Sequence, residues 1–153
     1  MYSPFKLGIK YLGYWVKAAS GKGHGIHSPF VFEFITAVLN DDGEYYCYEK
    51  TEVVRERLKQ DQTMLELEDF GAGSRVHASY KRKVADIARS SLKPKKYAQL
   101  LFRMVNFYQP KNVLELGTSL GITTAYLAAA NESTPVITME GAKAVAEIAG
   151  KNR

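Results

Sequence analysis

The chain has 153 residues, 46% of them hydrophobic and 24% charged, which is ordinary for a soluble globular protein with a real hydrophobic core. No uncharged apolar run reaches the roughly 18 residues needed to span a bilayer, so we expect no membrane span. Three lysines interrupt the N-terminal segment, which lacks the compact apolar centre of a signal peptide, so we expect no signal peptide. The single cysteine, Cys47, excludes an internal disulfide and a multi-cysteine metal site, and we therefore expect a cytoplasmic protein.

The net charge of +5 is unevenly distributed. Residues 75–103 contain nine Lys or Arg and one acid, a local balance of +8, whereas the rest of the chain carries 12 basic and 15 acidic residues. Such a segment can bind RNA, a protein partner or an anionic substrate, or it can form solvated helix faces. A non-enzymatic basic module that binds RNA or a protein partner is therefore the alternative function. We do not expect a nucleic-acid partner, because no aromatic-rich RNA-binding signature accompanies the charge.

The N-terminal part of the chain is predicted to be helical. Around residues 4–19, apolar residues recur on one side of a helix that we expect to pack on the body of the domain. An amphipathic helix at a membrane surface is the second interpretation of that segment, although no membrane partner is expected. In "HSPFVFEFITAVLN", Ser28 is a predicted N-cap and Pro29 the first helical residue. Its predicted apolar face comprises Phe30, Phe34, Ile35, Val38 and Leu39.

The middle of the chain is predicted to contain three helices and a short extended piece. "YEKTEVVRERLKQ" is a charged helix with a narrow stripe through Val53, Val54 and Leu58, and "TMLELEDFGAGSR" is an extended piece followed by a turn. "VADIARSSL" is a helix that stops before Pro94. "KKYAQLLFRMVNFYQP" is the strongest helical pattern, and Pro110 ends it. Its predicted buried face comprises Tyr97, Leu100, Leu101, Met104, Val105 and Tyr108.

The C-terminal part alternates between strand and helix. "NVLEL" is predicted as a buried strand, "ITTAYLAAAN" as a helix, "PVITME" as a second strand and "AKAVAEIAGKNR" as a third helical element. This order indicates a parallel β–α–β unit with a right-handed crossover. We therefore expect an α/β fold in which a helical region at residues 1–91 precedes an open-sheet domain that starts at residues 92–153.

Two glycine-bearing stretches compete as the cofactor loop, "EDFGAGSR" at 68–75 and "VLELGTSLG" at 113–121. A cofactor loop in a β–α–β unit requires a following helix, a second strand and an acid about 20 residues on, which accepts hydrogen bonds from the ribose hydroxyls. The second loop meets this test, because Glu140 follows the second strand 19 residues after Gly121. The first loop fails it and is interpreted as a tight turn, with a place beside the cofactor as the alternative. The G-x-x-x-G spacing favours neither a dinucleotide nor a nucleoside triphosphate.

Residues 92–150 resemble the start of the class I S-adenosylmethionine-dependent methyltransferases, closest to the branch that methylates small molecules on oxygen. The resemblance rests on "NVLELGTSLGITTAYLAAANESTPVITMEGAKAVAEIA" and the helix before it. It implies a Rossmann-like fold, S-adenosyl-L-methionine as cofactor and a small-molecule methyl acceptor. It also implies that the N-terminal region forms a cap on the substrate side.

The family's binding roles transfer to matching positions of this sequence. Glu115 matches the acid that supports the loop and the cofactor's amino-acid end, Thr123 a hydroxyl that binds the methionine carboxylate, and Glu140 the acid that binds both ribose hydroxyls. The turn that passes the methionine moiety matches Gly117, Thr118, Ser119 and Gly121. Other interpretations stay open: a helix cap for Thr123, and solvated strand ends for Glu115 and Glu140.

The resemblance also implies positions that this sequence lacks. The family's sheet has seven strands, and the chain reaches the second, so we expect an N-terminal portion or a truncated product that is inactive alone. No catalytic residue is named, and a divalent metal used by a full-length protein would find no ligands here. His24 and His27 are interpreted as loop residues rather than metal ligands. The first strand would expose an unpaired edge, so we expect either self-association through that edge or partial disorder from about residue 112 onward.

Overall fold

The structure, a computed structural model, describes residues 4–17, 27–67 and 81–152. The 68–75 loop and His24 lie outside these residues. The chain divides into two compact units, Met1–Asp42 and Gly43–Arg153. The predicted domain boundary at residue 91 falls inside the second unit. None of the described helices is both long and apolar enough to cross a bilayer.

The first unit contains helix α1, Pro4–Lys17, and helix α2, Pro29–Glu33, which continues as a π-helical stretch over Phe34–Leu39. Ser28 caps α2 as predicted, since the backbone N–H of Val31 donates to its Oγ at 3.4 Å. The predicted apolar face of this segment is wrong in part: Val38 is buried, but Phe30 and Leu39 are exposed. The π-helical bonds widen each turn, so that residues at α-helical spacing no longer share one face.

The second unit begins with helix α3, Tyr48–Gln60, whose buried face differs from the predicted stripe. Val53 is 65% exposed, while Leu58 is buried as expected. The buried face comprises Tyr48, Thr51, Arg55 and Leu58. Polar residues can occupy this face because they have partners: Thr51 Oγ1 donates to the Cys47 carbonyl at 2.8 Å.

Arg55 is the buried cation of α3 and is only 4% exposed. Its Nε lies 2.9 Å from Glu52 Oε2, and its Nη1 donates to the Lys93 carbonyl at 2.7 Å. Glu52 Oε1 also accepts a hydrogen bond from the Tyr126 hydroxyl at 2.8 Å. This partly buried ion pair therefore joins α3 to the segment around Lys93 and to the helix that carries Tyr126.

Strands β1, Met64–Glu66, and β2, Lys81–Lys83, pair antiparallel, with Leu65 opposite Arg82. The extended piece at β1 was predicted, but β2 was not, because its three residues are all basic and carry no strand pattern. Helix α4, Val84–Ser91, follows β2 directly and buries Val84, Ala85, Ile87 and Ala88. This helix ends before Pro94, as the sequence predicts.

Helix α5, Lys95–Tyr108, ends where predicted, with Gln109 in the left-handed conformation at φ 47°. Its predicted buried face is confirmed in part, because Val105 is buried and Leu101 packs against the core. The centre of the buried face nevertheless lies about 100°, or about one residue, from the predicted one. The buried residues are Ala98, Phe102 and Val105, while Tyr97 is 54% exposed. Phe102 faces the core because its ring packs against those of Tyr45 and Tyr48, whose centroids lie 4.7 and 5.3 Å away.

The β–α–β unit forms as predicted from strand β3, Val113–Leu116, helix α6, Ile122–Ala130, and strand β4, Val136–Met139, and helix α7, Lys143–Lys151, follows it. The two strands pair in parallel, with Leu114 opposite Ile137 and Leu116 opposite Met139. The second unit is therefore mixed α/β.

One face of the β3–β4 sheet is covered by none of the described residues. The expectation that β3 is buried is wrong on this face, because Leu114 and Leu116 are 59% and 77% exposed, and Ile137 and Met139 beside them are exposed too. The alternate residues Val113 and Val136 pack against the core that α5 and α6 share. Within the described residues, β3 pairs with β4 alone, so its other edge presents backbone N–H and C=O groups without a strand partner.

Candidate functional site

The turn between β3 and α6 has an unusual backbone. Gly117 and Gly121 have positive φ, 94° and 83°, and between them Ser119 adopts φ 50° although it is not glycine. Left-handed conformations are cheap for glycine and cost other residues roughly 1–2 kcal/mol. The two glycines of the predicted loop are therefore required by the path of the chain, and Ser119 is held in place by its surroundings.

Strand β4 anchors the turn. The backbone N–H groups of Gly117 and Thr118 both donate to the carbonyl of Met139, at 2.9 and 3.0 Å. The N–H of Gly121 donates to the Thr118 carbonyl at 3.0 Å and closes the turn. The loop is thus fixed to the carboxyl end of the neighbouring strand, where parallel α/β sheets place their ligands.

Glu140, directly after β4, is bound to this loop. Its Oε2 accepts the backbone N–H of Ser119 at 2.8 Å, and its Oε1 accepts that of Ala142 at 3.0 Å. The carboxylate therefore bridges the β3–α6 turn and the segment leading into α7. Neither hydrogen bond is accounted for by a solvated strand end, the open alternative for this residue.

Glu115 forms the centre of a hydroxyl network beneath the turn. Its Oε2 accepts hydrogen bonds from Thr124 Oγ1 at 2.5 Å and from Thr138 Oγ1 at 2.8 Å. The hydroxyls of Thr138 and Thr118 lie 2.5 Å apart. This carboxylate therefore links β3, β4, the turn and the first turn of α6.

Gly121 contacts α7 rather than open space. A Cβ at this position would lie 3.2 Å from Ala149 Cβ, closer than most real contacts allow. A Cβ at Gly117 would meet nothing within 4 Å. The two glycines thus differ: Gly121 allows α7 to pack closely, whereas Gly117 leaves space open beside the turn.

The N-terminus of α6 offers donors and hydroxyls. The first helical hydrogen bond runs from the Ala125 N–H to the Gly121 carbonyl at 2.9 Å, so the three preceding N–H groups have no partner one turn back. Ser119 Oγ is buried and has no hydrogen-bond partner within the described part of the chain. Thr123 is half-buried and is not the helix cap, since Gly121 holds that position. Such an arrangement suits a small anionic group.

A cavity of about 390 Å³ lies beside the turn and along β3. Its size falls within the range of small-molecule sites. Its apolar wall includes Leu101, Met104 and Val105 of α5 and Leu127 of α6, and the segment Ser91–Lys93 forms part of its rim. Five of the predicted residues line it: Glu115, Gly117, Thr118, Ser119 and Thr123.

Gly121 and Glu140 do not line this cavity but hold the turn that does. The sequence analysis did not identify Thr124 and Thr138, the two partners of Glu115. Thr138 could have been identified, because it lies opposite Glu115 in the parallel register. Arg55, which holds the Lys93 carbonyl of the rim from α3, was not identified either. That contact joins residues 38 positions apart and has no local signature.

Metal ligation has no basis in the part of the chain that the structure describes. Those residues contain no group of three His, Cys, Asp or Glu side chains that could hold an ion, and His27 is exposed. Cys47 is buried, and burial raises the pKa of its thiol. This cysteine is therefore poorly suited to nucleophilic chemistry.

Comparisons with known proteins give no match: no protein-family model matches the sequence, and no curated protein or solved structure is significantly similar to it.

Proposed function

We propose that the second unit binds S-adenosyl-L-methionine at the β3–α6 turn and that the protein is a methyltransferase acting on a small molecule. The proposal includes a Rossmann-like arrangement, in which β3 and β4 are the first two strands of a parallel sheet. It rests on the sequence resemblance together with the geometry of the turn.

The observation that carries the proposal is the bridge from Glu140 to the Ser119 N–H, at 2.8 Å. An acid after the second strand is thereby held against the glycine turn after the first. A cofactor that carries both a ribose and a charged amino-acid group needs these two elements side by side. Each oxygen of Glu140 accepts one backbone N–H, and a carboxylate oxygen has a second lone pair with which it can accept a ribose hydroxyl.

The amino-acid end of the cofactor fits the other side of the turn. The N-terminus of α6 favours a carboxylate because its N–H groups point outward and its dipole is positive there. Thr123 and Ser119 supply hydroxyl donors at the same place, and Ser119 Oγ has no partner among the described residues. Gly117 lets the ligand approach the backbone, since the space where a side chain would project is open. Glu115 acts indirectly, by fixing the turn through Thr138 and Thr124.

The cofactor supplies an electrophilic methyl group on a sulfonium, which a nucleophile displaces in line. For such a reaction the protein mainly positions two substrates and excludes water. The apolar wall formed by α5 and α6 is suited to exclude water from one side of the cavity. We assign no residue of this apolar wall as the base that deprotonates the methyl acceptor.

The test is equilibrium binding of S-adenosylhomocysteine by isothermal titration calorimetry, with NAD and ATP as competing candidates. We expect binding of S-adenosylhomocysteine alone, and at least a tenfold loss in a Thr123→Val, Ser119→Ala double variant, because each hydrogen bond to a charged group contributes roughly 1.5–3 kcal/mol. Val53→Ala, on the exposed face of α3, is the matched control and should bind normally. Binding of RNA that falls steeply with salt, with no binding of S-adenosylhomocysteine, would instead support the basic-module alternative.

A further inference from the structure

Helix α1 carries an apolar stripe that is open to solvent. Phe5, Ile9 and Leu12 are 79%, 56% and 61% exposed. At about 100° per residue, these three positions lie within about 60° of one another around the helix axis. These three side chains form an accessible apolar surface on the helix.

The charges of α1 are of one sign and lie to one side of that stripe. The helix contains three lysines and no acidic residue. Lys6 and Lys10, both exposed, lie about 40° apart around the axis and about 110° from the centre of the apolar stripe. Lysines in this position can keep the ammonium group in water while their aliphatic stems follow the apolar surface.

The geometry points to one occupant, and we propose that α1 binds the surface of an anionic lipid bilayer, lying in the plane of the headgroups. An exposed apolar stripe with lysines to one side of it is the pattern of interfacial helices, and uniform positive charge complements an anionic surface. At 14 residues the helix is about 21 Å long, too short for a hydrocarbon core of about 30 Å, so it lies on the membrane rather than across it. This proposal revises the expectation that the protein has no membrane partner.

The proposal is independent of the cofactor site, because α1 belongs to the first compact unit and the β3–α6 turn to the second. Failure of S-adenosylhomocysteine binding would therefore leave the membrane proposal untouched, and the reverse also holds. The closing experiment uses the whole chain and lipid alone as the probe.

The experiment is vesicle flotation with phosphatidylcholine mixed with phosphatidylglycerol, compared with phosphatidylcholine alone. We expect the protein to float with the anionic vesicles and to bind neutral vesicles at least tenfold more weakly. Ile9→Glu with Leu12→Glu should reduce binding about tenfold or more, and Lys6→Gln with Lys10→Gln roughly fivefold for each charge removed. Val53→Glu is the matched control, an exposed apolar residue on another helix, and should float like the wild type.

Circular dichroism of each variant checks that the helices persist. Equal binding to neutral and anionic vesicles, or flotation of the Ile9→Glu, Leu12→Glu variant at the wild-type level, would overturn the proposal. It would also be overturned if the protein ignored vesicles and sedimented as an oligomer that these two substitutions dissociate, since a second copy of the chain would then cover the stripe.

Discussion

The carboxylate of Glu140 accepts the backbone N–H of Ser119 at 2.8 Å and thereby holds the end of one parallel strand against the turn that follows the other. The acid thus has a structural role in addition to the proposed contact with ribose. A strand-terminal acid would be expected to contribute little to stability, but Glu140 also accepts the Ala142 N–H. Substitutions here should therefore affect folding and binding together.

Glu140→Ala should lower the free energy of unfolding by about 1–3 kcal/mol, because two backbone donors lose a charged acceptor. It should also weaken binding of S-adenosylhomocysteine by about 1.5–3 kcal/mol. Urea denaturation and calorimetric titration measure the two effects. Glu140→Gln is the control, since its one carbonyl oxygen can keep one of the two hydrogen bonds. Unchanged stability in both variants would contradict the bridge.

Gly121→Ala should destabilise the fold through α7. The new Cβ would lie 3.2 Å from Ala149 Cβ, and φ at this position is 83°. The left-handed strain alone costs roughly 1–2 kcal/mol, and the contact adds to it. At this position α7, rather than a ligand, occupies the space into which a side chain would project.

Gly117→Ala is the companion variant, with φ 94° and open space around the added Cβ. It should lower the free energy of unfolding by the cost of the strained backbone alone, without a packing cost. It should nevertheless weaken S-adenosylhomocysteine binding more than Gly121→Ala does, when both variants are compared under conditions in which they are fully folded. Adding Ala149→Gly should partly rescue Gly121→Ala and should not rescue Gly117→Ala. Denaturation of the wild type, the three single variants and the two double variants gives the coupling energies. Equal rescue of Gly121→Ala and Gly117→Ala would show that the contact with α7 does not cause the destabilisation by Gly121→Ala.

Tyr126 should make the protein sensitive to alkali. Burial, and secondly its hydrogen bond to Glu52, raise the pKa of the Tyr126 hydroxyl above its ordinary value of 10. Its stabilising contribution is therefore fully present below about pH 10 and is lost as the pH rises through and beyond that value. Tyr126→Phe should cost about 1.5–3 kcal/mol near neutral pH, where the hydrogen bond is lost, and the difference from wild type should shrink near pH 11. Urea denaturation across this range measures it, and a constant difference would contradict the assignment.

The face of the β3–β4 sheet that no described residue covers should promote self-association. Leu116 is 77% exposed and Met139, opposite it in the register, is 55% exposed, beside a strand edge that pairs with no other described strand. Sedimentation velocity should show a concentration-dependent oligomer, and Leu116→Lys should shift it toward monomer. Val53→Lys, on α3, is the control. If Leu116→Lys and Val53→Lys behave alike, the sheet is not the contact.

Local sequence patterns predicted the helices and strands well, whereas tertiary contacts determine which face of each element is buried. Ser28 before Pro29, and Pro110 after α5, gave the helix limits because capping and proline act on neighbouring backbone. The order strand, turn, helix and strand predicted the β–α–β unit, because this order is itself a local feature of the sequence. Phe102 was missed because it is received by Tyr45 and Tyr48, more than 50 residues away, and no periodicity within α5 reports those partners.

In the candidate site, too, local patterns predicted some residues and tertiary contacts brought in the others. The glycine turn and Glu140 were found from spacing, since parallel strands bring their carboxyl ends together. The hydroxyl network around Glu115 was not found. Thr138 could have been recognised from its position opposite Glu115 in the parallel register, whereas Thr124 becomes a partner only once α6 is in place. Arg55, which holds the cavity rim at Lys93, sits in a charged helix where its burial has no local signal.

The most direct test of the central claim is a titration of the isotope-labelled protein with S-adenosylhomocysteine, followed by amide NMR. If the cofactor binds at the β3–α6 turn, the largest shift changes will fall on the amides of residues 117–124 and 140–142, with small changes on α3 and α4. The Ser119 amide should move in particular, because its acceptor Glu140 would also contact the ligand. Saturable binding whose shifts cluster elsewhere, or no shift at millimolar ligand, would contradict the account.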